Sequence, residues 1–201
     1  MKKWPRLPEK NFPRALTLCE VTGTVGYLDQ ASRWVAVADE YYWDETGGGY
    51  FFTADDAPGL ITRTKSAVDS AVPAGNGTMA RVLARLYHMT GRDEYRRRAE
   101  AILKVFSGGL NDHFPGLATL LNAFETLVSA RQVTVVGPPT DAGALRHAAF
   151  LTPVSDIIVM PKFEEDRPMI SGKATAYVCD GAACAAPVTE VADLQKLLSR
   201  R

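Results

Sequence analysis

The sequence predicts a mainly helical protein that ends in a small α/β segment. Three observations carry this reading. Apolar residues recur at helical spacing up to about residue 130. A turn-and-helix pattern occurs twice, 68 positions apart. After Ala130 the composition changes to short β-branched runs around one helical stretch. The chain therefore divides into a helical part, 1–130, and a C-terminal α/β part, 131–201.

Taken in order, Phe12, Ala15, Leu16 and Cys19 form the first apolar stripe, with Asn11 placed to cap it. Ala31, Trp34, Val35 and Ala38 form the second. Met79, Val82, Leu83 and Leu86 form the third, and Tyr95, Ala99, Ile102, Leu103 and Phe106 the fourth. Leu117, Leu120, Leu121 and Phe124 make the fifth. Each stripe is core by its spacing. The repeat joins them: "VTGTVGYLDQA" and "MTGRDEYRRRA" share Thr-Gly, then Tyr, then Ala, with Tyr27 and Tyr95 68 positions apart. In each copy a helix ends at Gly, the natural left-handed cap, and another begins near the Tyr. Tandem helical hairpins follow from this pattern.

Between the hairpins lies "WDETGGGYFFTADDAPGLITRTK". Gly47-Gly48-Gly49 cannot continue a helix cheaply. Tyr50–Thr53 and Leu60–Arg63 have strand composition, so a short β-hairpin or an extended excursion is expected. Long connectors of this kind tend to be functional. The stretch "VDSAVPAGNGTMARVLARL" then opens a helix near Asn76 to Thr78, with Asn76 as its expected cap. It lacks the Lys-Ser/Thr of a P-loop and does not match G-x-G-x-x-G, so it is not read as a nucleotide loop.

In the C-terminal part, "QVTVVG" and "SDIIVMP" are strands flanking the helical "PPTDAGALRHAAF", which Thr140 or Asp141 should cap. This βαβ order predicts a parallel strand pair with a right-handed crossover. "TAYVCDGAACAAPV" offers one or two further strands around an Asp-Gly turn, and a helix from Thr189 closes the chain.

Composition excludes several classes. The 201 residues are 46% hydrophobic, and 23 Lys plus Arg balance 23 Asp plus Glu. With no net charge and no wide basic patch, nucleic acid is not an expected partner. Arg96-Arg97-Arg98 reads as a solvated helix face. No apolar run approaches the roughly 18 residues of a membrane span, and the basic start has no apolar stretch after it, as a secretory signal would. Three cysteines are too few for a disulfide scaffold, so a reducing cytoplasm is expected.

Cys179 and Cys184 admit two arrangements. If Asp180-Gly181 is the turn, the thiols are diagonal neighbours, roughly 7–8 Å apart, and stay free, buried as small hydrophobes. If the loop runs from Asp180 to Ala183, they sit opposite each other and can bridge. Free thiols are the favoured arrangement. Two cysteines cannot hold zinc alone, and His88, His113 and His147 lack ligand spacing, so neither a metal nor a cofactor is expected.

Three stretches, "WDETGGGYFFT", "RTKSAVDSAVPAGNGTMARVLARLYHMTG" and "AYVCDGAACAAPVTEVADLQKLL", together resemble the C-terminal region of the thioredoxin-domain-containing proteins of the spermatogenesis-associated type. The likeness runs from about Arg14 to Leu198. It implies a six-hairpin α/α toroid like that of N-acylglucosamine 2-epimerases. This sequence has no thioredoxin domain and no Cys-x-x-Cys motif, and its helices are too few to close a ring. The resemblance thus implies an incomplete toroid, completed as a homo-oligomer or as part of a larger chain.

In such toroids, ligands sit in a funnel of loops and helix starts. By that resemblance Arg63, Lys65, Asp69 and Asn76 would face the funnel, with Trp43, Tyr50 and Phe52 as stacking surfaces for a small polar or sugar-like ligand. Asp69 would be the general acid or base. His113 is the better histidine for proton transfer, while Asp55 and Asp56 read as a solvated turn. The function expected is that of a carbohydrate-binding or epimerase-like toroid protein without complete catalytic machinery in this chain. The alternative is a non-enzymatic interaction module working with a thioredoxin-like partner.

Overall fold

A computed structural model describes residues 11–59, 61–109, 114–153, 156–161, 167–181 and 183–199. The chain forms two compact units: Met1–Thr17 with Gly26–Leu127, and Leu18–Val25 with Val128–Arg201. Seven α-helices and four strands lie among the described residues. No described helix is long and apolar enough to cross a membrane.

The first unit is helical. It contains α1 (Asn11–Thr22) as far as Thr17, then α2 (Gly26–Tyr42), α3 (Gly75–Thr90), α4 (Asp93–Phe106) and most of α5 (Ala118–Ser129). Val82, Leu83 and Leu86 of α3 are fully buried, as are Ala99 and Ile102 of α4. These are the stripes expected from spacing, and α3 and α4 pack against each other through them. The Phe12 ring meets Trp34 edge-on, with centroids 5.7 Å apart. On α5 the buried face is Leu120, Ala123 and Leu127, whereas Phe124 is 52% exposed. Phe124 stands one residue, about 100°, round the helix from Ala123, so the expected stripe is corrected by one position. Gly77 explains the tight seat of α5: a Cβ there would lie 3.0 Å from the Leu120 nitrogen.

The internal repeat extends to hydrogen bonds. Gly91 (φ 70°) gives its N–H to the Tyr87 carbonyl at 2.7 Å. Gly23 (φ 72°) gives its own to Cys19 at 2.8 Å. Thr90 and Thr22 donate their hydroxyls one turn back, to Leu86 and Leu18, each at 2.7 Å. The same side-chain oxygens then accept the N–H groups of Arg92 and Thr24. One local code, Thr-Gly in a left-handed cap, ends both helices.

Residues 43–74 form an extended excursion rather than a β-hairpin. Among its described residues the strand-like contacts are the bridge between Trp43 and Tyr50 and a 2.9 Å bond from Phe52 N–H to the Thr64 carbonyl, and Asp55 N–H bonds back to the Tyr41 carbonyl of α2 at 2.9 Å. Leu60 lies outside the described residues.

The second unit is a four-stranded sheet in the order β2-β1-β3-β4, from β1 (Arg131–Val136), β2 (Ile157–Val159), β3 (Thr175–Asp180) and β4 (Ala183–Cys184). β1 and β2 are parallel, as expected, with Val133 opposite Val159. Helix α6 (Pro139–Leu151) connects them, because parallel neighbours need a crossover. β3 runs antiparallel to β1. Leu145 and Ala149 of α6 and Leu194 and Leu198 of α7 (Val191–Leu198) close over Val133, Val135, Ala176 and Val178. Neither helix starts where expected. Pro138 occupies the cap of α6, with Pro139 first in the helix, where its missing N–H costs nothing. Glu190, not Thr189, precedes α7.

Two glycines give a graded test. Gly91 has open space around it, so alanine there meets only the left-handed backbone. At Gly137 (φ 134°) a Cβ would lie 2.8 Å from Ala174 Cα. Gly91→Ala should cost about 1 kcal/mol, and Gly137→Ala distinctly more. Urea unfolding of the two variants measures this, and equal costs would contradict the packing described.

Candidate functional site

The first unit contains a cleft of about 600 Å³, within the range of small-molecule sites. Its position follows from how the 43–74 excursion is held. Asp44 sits just past α2, and its Oδ1 accepts the N–H groups of Thr46 at 3.0 Å and Gly47 at 2.9 Å. Gly48 and Gly49 then turn through positive φ of 70° and 81°, which side chains other than glycine rarely adopt. Lys65 reaches back to bind Asp44 Oδ2 at 2.6 Å and also donates to the Gly48 carbonyl. The Lys65 bond and the Gly47 and Thr46 N–H groups, against a smaller opposing effect of burial, bring the Asp44 pKa down to about 2.

Asn76 fixes the next residues. It is 2% exposed and second in α3, after the cap position at Ala74. The expected capping role is therefore corrected. Its Oδ1 accepts Tyr50 N–H at 2.7 Å, and its Nδ2 donates to the Tyr50 carbonyl at 2.9 Å and the Ser66 carbonyl at 3.0 Å. The side-chain amide pairs with Tyr50 as a neighbouring strand would. Gly49 makes room, since a Cβ there would lie 3.2 Å from Asn76 Oδ1.

Tyr50 is pinned at its other end too. Its hydroxyl donates to Asp39 Oδ1, and Arg98 Nε lies 3.3 Å from Asp39 Oδ2. Trp43 stacks beneath the Arg98 guanidinium at 4.7 Å. Burial raises the pKa of Asp39, and the bonds from Tyr50 and Arg98 only partly offset it. Burial, then the Asp39 charge, pushes the Tyr50 hydroxyl well above its ordinary value.

Arg63 lies over the Phe51 ring at 4.2 Å and donates to the carbonyls of Thr53 and Tyr41. Asp69 holds two backbone segments: Oδ1 accepts Ala74 N–H and Oδ2 accepts Thr119 N–H, each at 2.8 Å. Burial pushes its pKa up, but the bonds from Ala74 and Thr119 outweigh this and lower it.

Phe51 and Phe52 thereby line the cleft together with Tyr42, Tyr50, Val72, Pro73 and Met79. Phe12 and Ala38, both buried, also line it, and Phe52 is 56% exposed. Arg14, Thr78 and the first turn of α3 supply polar groups. Of the residues singled out by sequence, Tyr50, Phe52 and Asn76 line the cleft. Trp43, Arg63, Lys65 and Asp69 brace the segments that form it. His113 lies outside the described residues. Spacing does not reveal Tyr42, Phe51 and Met79 as lining residues. The usable signal was the aromatic density on either side of the glycine triplet. No group of acidic, His and Cys side chains among the described residues could hold a metal ion.

No family model matches the chain. It is 28% identical to human spermatogenesis-associated protein 20 over 200 residues, which cover 91% of this chain and 25% of that protein. The rat protein of that name is 27% identical over the same shares. An uncharacterised protein of Caenorhabditis elegans is 25% identical, over 92% of this chain and 27% of its own length. The chain thus spans about a quarter of the length of the curated relatives it matches, in keeping with a C-terminal region of the spermatogenesis-associated protein.

The Asp44–Lys65 brace gives a pH test. The folded pKa of Asp44, about 2, lies below the roughly 3.9 of an unfolded Asp. Its stabilisation is complete above the unfolded value and is lost as pH falls through the folded one. Unfolding midpoints should therefore drop as pH falls from about 5 toward 2, and Asp44→Asn should flatten that drop. An unchanged slope in the variant would mean that the pair does not form.

Proposed function

We propose that the first unit is a run of helical hairpins from an α/α toroid, and that its cleft binds a small polar, sugar-like ligand. The observation that carries this is that Tyr42, Tyr50, Phe51 and Phe52 line one cleft together with Thr78 and the start of α3. Flat apolar faces beside a few polar groups suit the two sides of a sugar ring. The repeated Thr-Gly turn between helices supports the hairpin array. The resemblance to spermatogenesis-associated proteins supports the toroid and implies that further hairpins come from a longer chain or a second copy. The compartment in this reading is the cytoplasm, where a lone disulfide such as Cys179–Cys184 is of the transient or redox-active kind.

Binding without turnover in this chain is the form we favour. Both Asp69 oxygens accept backbone N–H groups, and the lowered pKa keeps that carboxyl ionised. A residue so engaged positions a loop rather than moving a proton. The same observation favours the second reading, a non-enzymatic module that works with a thioredoxin-like partner.

Saturation-transfer NMR with a panel of mono- and disaccharides tests the reading. Transfer should be seen for at least one sugar, and Phe52→Ala should weaken binding about tenfold, or about 1.4 kcal/mol. Phe52 is exposed, so its truncation leaves the fold intact. Absence of transfer across the panel, or binding indifferent to Phe52, would remove the sugar-binding proposal.

A further inference from the structure

The second unit carries a covalent group that is independent of the cleft. Successive side chains of β3 alternate between faces, so Ala176 and Val178 enter the core while Tyr177 and Cys179 take the other face. Asp180 pairs with Ala183, and Cys179 with Cys184. The next bond, 2.9 Å, runs from Ala185 N–H to the Val178 carbonyl. The cysteines therefore occupy a non-hydrogen-bonded pair, where antiparallel strands approach closest. Their Cα atoms are 4.0 Å apart and their sulfurs are joined. Of the two arrangements open to the sequence, this is the bridged one. The expectation of free thiols is corrected, and the reason is register: the turn is centred one residue later, with Gly181 at φ 56°.

The cysteines are only five positions apart, in a loop the hairpin already closes. Disulfide stabilisation by loop closure grows with loop length, so this bond adds little restraint. Its sulfurs are unlike. Cys184 is exposed, whereas Cys179 is 5% exposed and receives a bond from Arg167 Nη1 at 3.5 Å. Arg167 is held over the Tyr177 ring at 5.0 Å, and the Tyr177 hydroxyl donates to the Pro168 carbonyl at 2.6 Å. A guanidinium beside one sulfur stabilises the thiolate that forms there.

We infer that Cys179–Cys184 is a thiol–disulfide exchange site for a dithiol reductant, attacked at Cys184 and releasing Cys179 beside Arg167. The first thiol of the reductant reacts as its thiolate, having lost its proton to water. Its lone pair forms a bond to Cys184 Sγ. The electron pair of the old S–S bond leaves with Cys179 Sγ, whose negative charge the guanidinium faces. The second thiol of the reductant, likewise ionised, then attacks the first, which closes the reductant into its own disulfide and expels Cys184 as a thiolate. Both protein thiolates can regain protons from water. Two electrons pass from the dithiol to the protein, and leaving-group stability sets much of the rate.

The experiment treats the native full chain with millimolar dithiothreitol, followed by alkylation and mass spectrometry, with circular dichroism recorded in parallel. Both cysteines of the bridge should become labelled while the spectrum is unchanged and buried Cys19 stays unlabelled. In Cys179→Ser, oxidised glutathione should form a mixed disulfide at Cys184. Arg167→Gln should slow reduction roughly threefold, the effect of about one unit in leaving-thiol acidity. A bond that opens only after denaturation would overturn the inference. So would a reduction rate insensitive to Arg167, or a Cys184 thiol inert to glutathione disulfide.

Discussion

The first unit depends on one side-chain amide. Asn76 binds the N–H and the carbonyl of Tyr50 and also the Ser66 carbonyl, so a residue of α3 serves the excursion as a missing strand would. Buried polar backbone must find partners, and here the ladder that would supply them is absent. Everything nearby accommodates that clamp. Gly49 leaves space for its oxygen, Tyr50 is fixed at its hydroxyl by Asp39, and Lys65 and Arg63 hold the flanking carbonyls. The aromatic lining of the cleft is a consequence of this bracing.

The polar residues that most resemble a catalytic set are therefore largely spent on architecture. Lys65 is paired with Asp44, Arg63 is engaged by carbonyls and the Phe51 ring, and Asp69 by the N–H groups of Ala74 and Thr119. Charged side chains near a loop look alike in sequence whether they face a ligand or the loop's own backbone. What distinguishes them is the count of unsatisfied carbonyls and N–H groups they must serve. The residues left to meet a ligand are mostly apolar, which suits recognition better than turnover.

The same physics separates what a sequence displays from what it hides. Helices with a continuous apolar stripe, such as Val82, Leu83 and Leu86, were readable because burial imposes the helical period. The Thr-Gly turns were readable because positive φ demands glycine and recurs with it. The parallel pair β1 and β2 followed from composition, since a helix between two short strands allows little else. Asn76 was not readable: an Asn ahead of an apolar run also fits a helix cap, and only the distant partner Tyr50 decides. Phe124 lies off the buried face because Leu120 and Ala123 set that face, and alanine gives a weak signal in sequence. The bridge of Cys179 and Cys184 turned on a one-residue shift of register, which a short Gly-containing turn leaves open.

Amide hydrogen exchange at Tyr50 tests the clamp most directly. The Tyr50 N–H lies in no helix or extended strand, yet its bond to buried Asn76 predicts protection comparable to that of the α3 interior. Protection at that level, lost in Asn76→Ala, is the expected result. Exchange of the Tyr50 amide in the parent protein at the rate of an open loop would contradict the account.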